Sequence, residues 1–231
     1  MATEATEWNS KGGSNLYAQI RSPKVSLVYP DLVDRIRKQQ AKSLLDFGCG
    51  SGIFLSEFSS SLGIKQFGYD VDAEMISLAQ KKCTDHTNTD ITSNLRSIGA
   101  NTIDAITHIA LWMVLKSEQD CLECLRSMHA LLSESGRMYA AITHPCFRDR
   151  AFSGNILHLD MNNYLKDSVT YKAEIKDNEK TMELTNYHYS LSSISKQLAA
   201  TGFVIEEIHE YPDVVPHYQG SPWMLITAKK Q

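Results

Sequence analysis

An apolar strand that runs straight into alternate glycines, Leu44-Leu45-Asp46-Phe47-Gly48-Cys49-Gly50-Ser51-Gly52, constrains this chain more than any other segment. Lys42 to Phe47 has the composition of a short strand buried in a parallel sheet, and Ile53 to Ser60 can follow it as a helix. Glycines lack Cβ atoms, so the backbone between them can turn sharply and a small ligand can lie against it. The spacing is G-x-G-x-G with Ile53 next, which differs from the G-x-G-x-x-G of a nicotinamide-dinucleotide site.

Gln66-Phe67-Gly68-Tyr69-Asp70-Val71-Asp72 reads as the next strand, ending in acid. Asp70 stands about twenty residues beyond the turn, where the edge of a doubly wound sheet offers a carboxylate to ribose hydroxyls. Asp72 suits the N-cap of a helix from Ala73 to Lys82. Strand-like and helix-like runs continue to alternate, the pattern of a parallel sheet covered on both faces. Further strands are expected at Thr102 to Ile109 and Arg137 to Thr143. Further helices are expected at Tyr29 to Gln40, with Pro30 in its first turn, and at Glu118 to Leu132. Asp104, inside a strand, reads as structural or as standing at the cofactor's margin.

The rhythm changes after Thr143. His144 to Asp167 is irregular, whereas Ser168 to Lys176 and Lys180 to Tyr187 alternate around Asp177-Asn178 as a hairpin would. Ser190 to Ala200 reads as a helix closed by Gly202. Phe203 to His209 and Trp223 to Ala228 read as a closing antiparallel pair.

LLDFGCGSG, GYDVD with its helix, Ile103-Asp104-Ala105-Ile106 and Leu131-Leu132-Ser133-Glu134-Ser135-Gly136-Arg137 resemble, in order, the signature segments of class I S-adenosylmethionine-dependent methyltransferases, over Tyr17 to Gly136. The resemblance implies one α/β domain over residues 1–231, built on a doubly wound, mostly parallel seven-stranded sheet. It also implies an N-terminal arm over residues 1–28 that folds over the cofactor, and a lid over residues 144–187, inserted after the fifth strand. By the same analogy His86 to Asp90 should be a strand, a short and poorly formed one because His-Thr-Asn-Thr-Asp is almost wholly polar.

S-adenosyl-L-methionine, the implied cofactor, presents an ammonium, a carboxylate, a sulfonium, two ribose hydroxyls and an adenine. Asp46 with the backbone of Gly48 and Gly50 suits the methionine end, and Asp70, followed by Val71, suits the ribose diol. Asp90 and Ile91 look like the family's adenine pair, and the peptide from Ile109 and Ala110 to Trp112 would lie near the sulfonium. Each residue also has a plainer reading: Asp46 can orient the turn, Asp90 can form an Asx turn, and Trp112 and Met113 can be core.

Methyl transfer needs a general base only when the acceptor carries a proton at neutral pH. His144, in His144-Pro145-Cys146-Phe147 at the carboxyl edge of the sheet, and His188 are the candidates; equally, each imidazole can hold a loop through both ring nitrogens. In similar proteins a His-Arg pair often precedes the last helix, and here Tyr189 replaces the arginine. Tyr17, Trp112, Met113, Phe147 and Tyr187 are candidate acceptor contacts. Phe152, His158, Tyr164 and Tyr171 complete an aromatic, weakly polar insertion suited to a small-molecule acceptor.

A formal net charge of −4 and no long Lys/Arg run argue against a nucleic-acid surface. The Asn-Pro-Pro-Tyr segment that marks methylation of exocyclic amines in similar enzymes is missing too. An RNA or protein methyltransferase, or a non-catalytic S-adenosylmethionine-binding protein, are the competing functions. The start of the chain lacks a signal-peptide pattern and no run is long and apolar enough to span a bilayer, so a cytoplasmic protein is expected. The five cysteines are scattered and odd in number. Cys121 and Cys124, though spaced CxxC, fall on one amphipathic helix, and no metal site is expected.

Overall fold

The structure, a computed structural model, describes residues 24–177, 180–213 and 220–231. Its first element, α1 (Lys24–Gln39), leads into β1 (Ser43–Phe47), a single turn of π-helix (Phe54–Phe58) and a 3₁₀ turn (Ser59–Leu62). There follow β2 (Lys65–Tyr69), α2 (Ala73–Lys82), β3 (Thr89–Thr92), β4 (Ile103–Ile109), α3 (Glu118–Leu131) and β5 (Leu132–Thr143). The inserted strands are β6 (Ala151–Phe152), β7 (Asn155–His158), β8 (Val169–Asp177) and β9 (Lys180–His188). The chain closes with α4 (Leu191–Ala200), β10 (Phe203–Tyr211) and β11 (Trp223–Lys230).

Seven strands form one sheet in the order β10-β11-β5-β4-β1-β2-β3. β3, β2, β1, β4 and β5 are parallel, and β11 enters antiparallel between β5 and β10. The order reverses between β1 and β4, so the carboxyl ends of these two strands open a crevice in which ligands of doubly wound sheets bind. One face packs Leu45, Ile106 and Met138 against Leu125 of α3 and Leu198 of α4. The other packs Leu44, Ala105 and Tyr139 with Leu32 and Ile36 of α1 and Ala79 of α2. Burying each large aliphatic side chain contributes about 1.5–3 kcal/mol, and this holds the crevice rigid from below.

Local sequence explains most boundaries. Asp72 caps α2 by accepting from the N–H groups of Glu74 and Met75. Ser117 and Asp120 form a reciprocal capping box on α3. Ser190 caps α4, and Gly202 takes the left-handed φ of 83° just after it. Asp104 is structural: its carboxylate accepts from the Lys42 N–H and the Ser133 hydroxyl.

Four expectations need correction. α1 spans Lys24–Gln39, so Pro30 lies inside the helix and residues 24–28 belong to it; residues 1–23 of the expected arm lie outside the described residues. The helix after the glycines is a π turn followed by a 3₁₀ turn, because the Ser56, Ser59 and Ser60 hydroxyls bond back to carbonyls of the preceding turn. β3 spans Thr89–Thr92 rather than His86 to Asp90. The irregular stretch after Thr143 contains β6 and β7, which pair with the predicted hairpin into a four-stranded antiparallel sheet.

Candidate active site

The turn after β1 is clamped to β2 where the N–H groups of Gly48 and Cys49 both donate to the Tyr69 carbonyl, at 2.7 and 2.9 Å. Gly48, Gly50 and Gly52 all have positive φ (81°, 53° and 77°), a region in which a Cβ would be strained. Their surroundings differ. A Cβ on Gly52 would lie 3.1 Å from the Ala79 backbone, and one on Gly48 would touch the Leu111 side chain at 3.0 Å. A Cβ on Gly50 would meet nothing within 4 Å, so the backbone there borders open space.

Two carboxylates flank this turn. Asp46, buried, accepts from the Thr107 hydroxyl of β4 at 2.8 Å. Burial pushes its carboxyl up to about 7; Thr107 and the nearby Lys24 ammonium pull it down, and Asp70 raises it further. Asp70 accepts from the Gly50 N–H at 2.8 Å and the Asp72 N–H at 3.0 Å, while burial raises its own carboxyl above the usual range. Val71 beside it is 53% exposed, an apolar surface on the same edge. Thr107 escaped the sequence reading, although a hydroxyl within an otherwise apolar strand was the available signal.

Where β4 ends, Ala110 holds a left-handed φ of 57° and its N–H donates to Ala141 at 2.8 Å. A non-glycine residue there stores of order 1–3 kcal/mol, and such strain gathers at functional sites. Ile109 beside it is buried with the α1 face of the core.

On the far side of the crevice the register moves one predicted contact. Asp90 pairs with Phe67, two residues before the end of β2, and its carboxylate meets the Lys65 ammonium at 2.5 Å. The end of β3 opposite Tyr69 is Thr92, so the carboxylate assigned to adenine points to an ion pair behind the edge. Ile91 fills the space that the missing Cβ of Gly68 leaves.

Both candidate bases are occupied. His144 takes the Cys146 N–H on Nδ1 at 3.2 Å, which leaves Nε2 to donate to Glu210 at 2.6 Å. Burial, the largest influence, lowers its pKa. His188 accepts from the Arg148 guanidinium on Nδ1 at 3.0 Å and donates from Nε2 to the Tyr164 carbonyl at 2.8 Å. Burial and then Arg148 lower it to about 4. Neither ring keeps a free nitrogen, and each holds a loop through both of them. The arginine missing after His188 is thus supplied from elsewhere, as Arg148. Tyr189 at that position donates instead to the Leu115 carbonyl at 2.8 Å.

The acceptor candidates separate in the same way. Trp112 is core: its indole N–H donates to Gln197 at 2.9 Å and its ring meets His108 edge-on. Tyr187 packs against the same core cluster. Phe147 lies against His144, Arg150 and the site where Gly220 lacks a Cβ. Tyr17 lies outside the described residues. Met113 alone of this set lines the cleft between the sheet edge and the inserted sheet, together with Ala110, Thr143 and Trp223 from the core and Asn155, Leu157, Ala173, Ile175, Leu184 and Asn186 from the insertion. Cys121 and Cys124 are thiols that burial pushes up to about 12, unsuited to thiolate ligation.

Residues 20–208 match the family described as the methyltransferase domain. The chain belongs to that family. No curated protein matches the sequence. Among solved structures, the methyltransferase is similar to DesVI of Streptomyces venezuelae (TM-score 0.65, 17% identity, 94% of this chain and 96% of that one). It is similar as well to a putative S-adenosylmethionine-dependent methyltransferase of Listeria monocytogenes (0.62, 20%, 89% and 99%). A third is the CcbJ methyltransferase of Streptomyces caelestis (0.62, 14%, 88% and 95%). Identities this low speak for the fold, and the family match for the chemistry: the methyltransferase is an S-adenosylmethionine-dependent enzyme on a Rossmann-like sheet with an inserted lid region. Among the described residues no helix is long and apolar enough to cross a membrane.

Proposed function

We infer that the methyltransferase acts on a small-molecule acceptor enclosed between the carboxyl ends of β4 and β5, the amino end of β11 and the inserted sheet. The cleft there carries this reading, since it is walled on two sides by sheets and lined mainly by apolar side chains, among them Met113, Leu157, Ala173 and Leu184, with a few polar groups between them. An RNA acceptor would call for a continuous basic face, whereas the one charged residue among the described lining of the cleft is Lys24.

S-adenosylmethionine supplies a methyl group on a sulfonium, already activated for in-line displacement. The residues of the crevice fit it: the open backbone at Gly50 leaves room, Asp46 would receive the ammonium, and Asp70 with Val71 would face the ribose. Ala110 and Met113 would border the reacting face. The protein's part is therefore to position and to exclude water, which suffices where the leaving group is good. The two histidines serve that end by fixing the insertion over the cleft.

Asp46 makes the reading testable through pH. A cation beside Asp46 favours its carboxylate. Above pH 7 the group is already ionised, whereas below it a proton must leave on binding, so affinity should fall as pH falls. S-adenosylhomocysteine, which keeps the ammonium, should bind up to about tenfold more weakly at pH 6 than at pH 8 in calorimetry. Asp46→Asn should bind weakly at both. Equal wild-type affinities across this range would remove Asp46 from the methionine end.

The insertion should also open for ligand exchange, because Leu157, Leu159, Tyr171 and Ala173 form a small apolar cluster of their own, separate from the two clusters of the core. Hydrogen exchange should be faster in β7 to β9 than in β1 without ligand, and slower once S-adenosylhomocysteine is added. Equal protection of β8 and β1 in the free protein would argue for a fixed roof.

A further inference from the structure

We propose that the acceptor is an uncharged molecule with an apolar body that carries an amide-like pair of hydrogen-bonding groups, an N–H or O–H beside a carbonyl, at the end held by Asn186 and Trp223, and a second hydrogen-bond donor at the end held by Asn155. This rests on the cleft being the acceptor site. Three residues lining it hold a buried polar atom with no partner: Oδ1 of Asn155, Oδ1 of Asn186 and Nε1 of Trp223. Their residues are 4%, 4% and 3% exposed. An unpartnered buried polar group costs about 1–3 kcal/mol, and three in one cleft are explained by a ligand that completes them.

Strand register places them. Asn155 sits opposite Ile175, and Asn186 sits opposite Tyr171. They therefore share the inner face at opposite corners, roughly 13 Å apart along the strands and roughly 10 Å across them. Between them lies the apolar row Leu157, Ala173 and Leu184. The Tyr171 hydroxyl reaches both Thr143, at 3.4 Å, and the Asn186 amide, at 3.5 Å. Thr143 pairs directly with Trp223, so one acceptor oxygen and one N–H donor meet at this corner.

Charge points the same way. Lys24 is the one charged side chain among the described residues lining the cleft, and its ammonium lies near enough to Asp46 to favour that carboxylate. A carboxylate would face two carbonyl oxygens without offering them a proton, and a cation would find no acid in the wall.

The Trp223 indole N–H resonance reports occupancy directly. The protein has three tryptophans, and the signal is assigned by its loss in Trp223→Phe. Benzamide at millimolar concentration should shift it saturably, while benzoate, benzylammonium and toluene should do so at least about tenfold more weakly. Asn186→Leu should weaken benzamide about tenfold, the scale of one lost hydrogen bond in a dry site. Asn155→Leu should spare benzamide and weaken a longer amide that carries a donor at its far end, 4′-aminobiphenyl-4-carboxamide. No saturable shift with benzamide, an equal response to benzoate or toluene, or an unchanged Asn186→Leu would each overturn the proposal. S-adenosylhomocysteine titrated into the same sample separates the two failures: if it binds and benzamide does not, only the acceptor chemistry falls; if it does not bind, the methyltransferase reading of the site falls with it.

Discussion

Trp112→Ala is expected to cost about 3–5 kcal/mol of folding stability, the range for truncating a buried aromatic residue. The side chain is enclosed between β4 and α4, and its indole N–H is the donor that satisfies the Gln197 carbonyl. Gln197 already has an Nε2 without a partner, so losing the tryptophan would leave the whole buried amide unpaired. Thermal unfolding should shift down by roughly 10 °C or more. Trp112→Phe should keep most of the packing and lose about 1–3 kcal/mol through the orphaned carbonyl. Were Trp112 an acceptor contact, Trp112→Ala would instead keep its unfolding temperature and raise only the KM for the acceptor.

The second large effect falls on binding. Gly50→Val should weaken S-adenosylhomocysteine by about 100-fold, or about 2.7 kcal/mol, because the new side chain would project into the space that no protein atom occupies. Its cost to the free protein is confined to placing a β-branched residue at positive φ. Gly52→Val should reverse the balance: its methyl groups would press on the backbone of α2, costing about 1–3 kcal/mol of stability. Calorimetry and thermal unfolding on the same two variants read both quantities. Wild-type affinity in Gly50→Val would mean that the cofactor does not lie over the glycine turn.

The core sheet was legible because its strands are apolar runs closed by residues with clear local roles: Asp72, Ser117 and Ser190 cap helices, and Gly202 ends one. The glycine turn and the acids Asp46 and Asp70 beside it were legible for the same reason, since the glycine spacing fixes a sharp turn at the end of an apolar strand. Register was less so. An edge strand of polar residues carries no apolar alternation to place its ends, so β3 was expected too early, and Asp90 was put at the edge where Thr92 stands. The partners of the histidines were hidden for a different reason. The histidines look catalytic by type and position, yet whether an imidazole nitrogen is free depends on Glu210 and Arg148, residues that only the folded chain brings near. Asn155 and Asn186 were invisible as a pair, because their meaning comes from two unmet carbonyl oxygens on one face of a sheet whose first strand has two residues.

Arg148 binds the Thr143 carbonyl at 2.9 Å and the His188 ring at 3.0 Å, and so joins the point where the chain leaves the core to the point where it returns. With exit and return pinned side by side, the closure entropy of whatever is strung between them grows only logarithmically, by about 0.6 kcal/mol for each doubling of length. The scaffold can therefore exchange one excursion for a longer or shorter one at nearly constant thermodynamic cost, and new acceptors can be evolved by splicing at this buckle while the glycine turn and its carboxylates stay as they are.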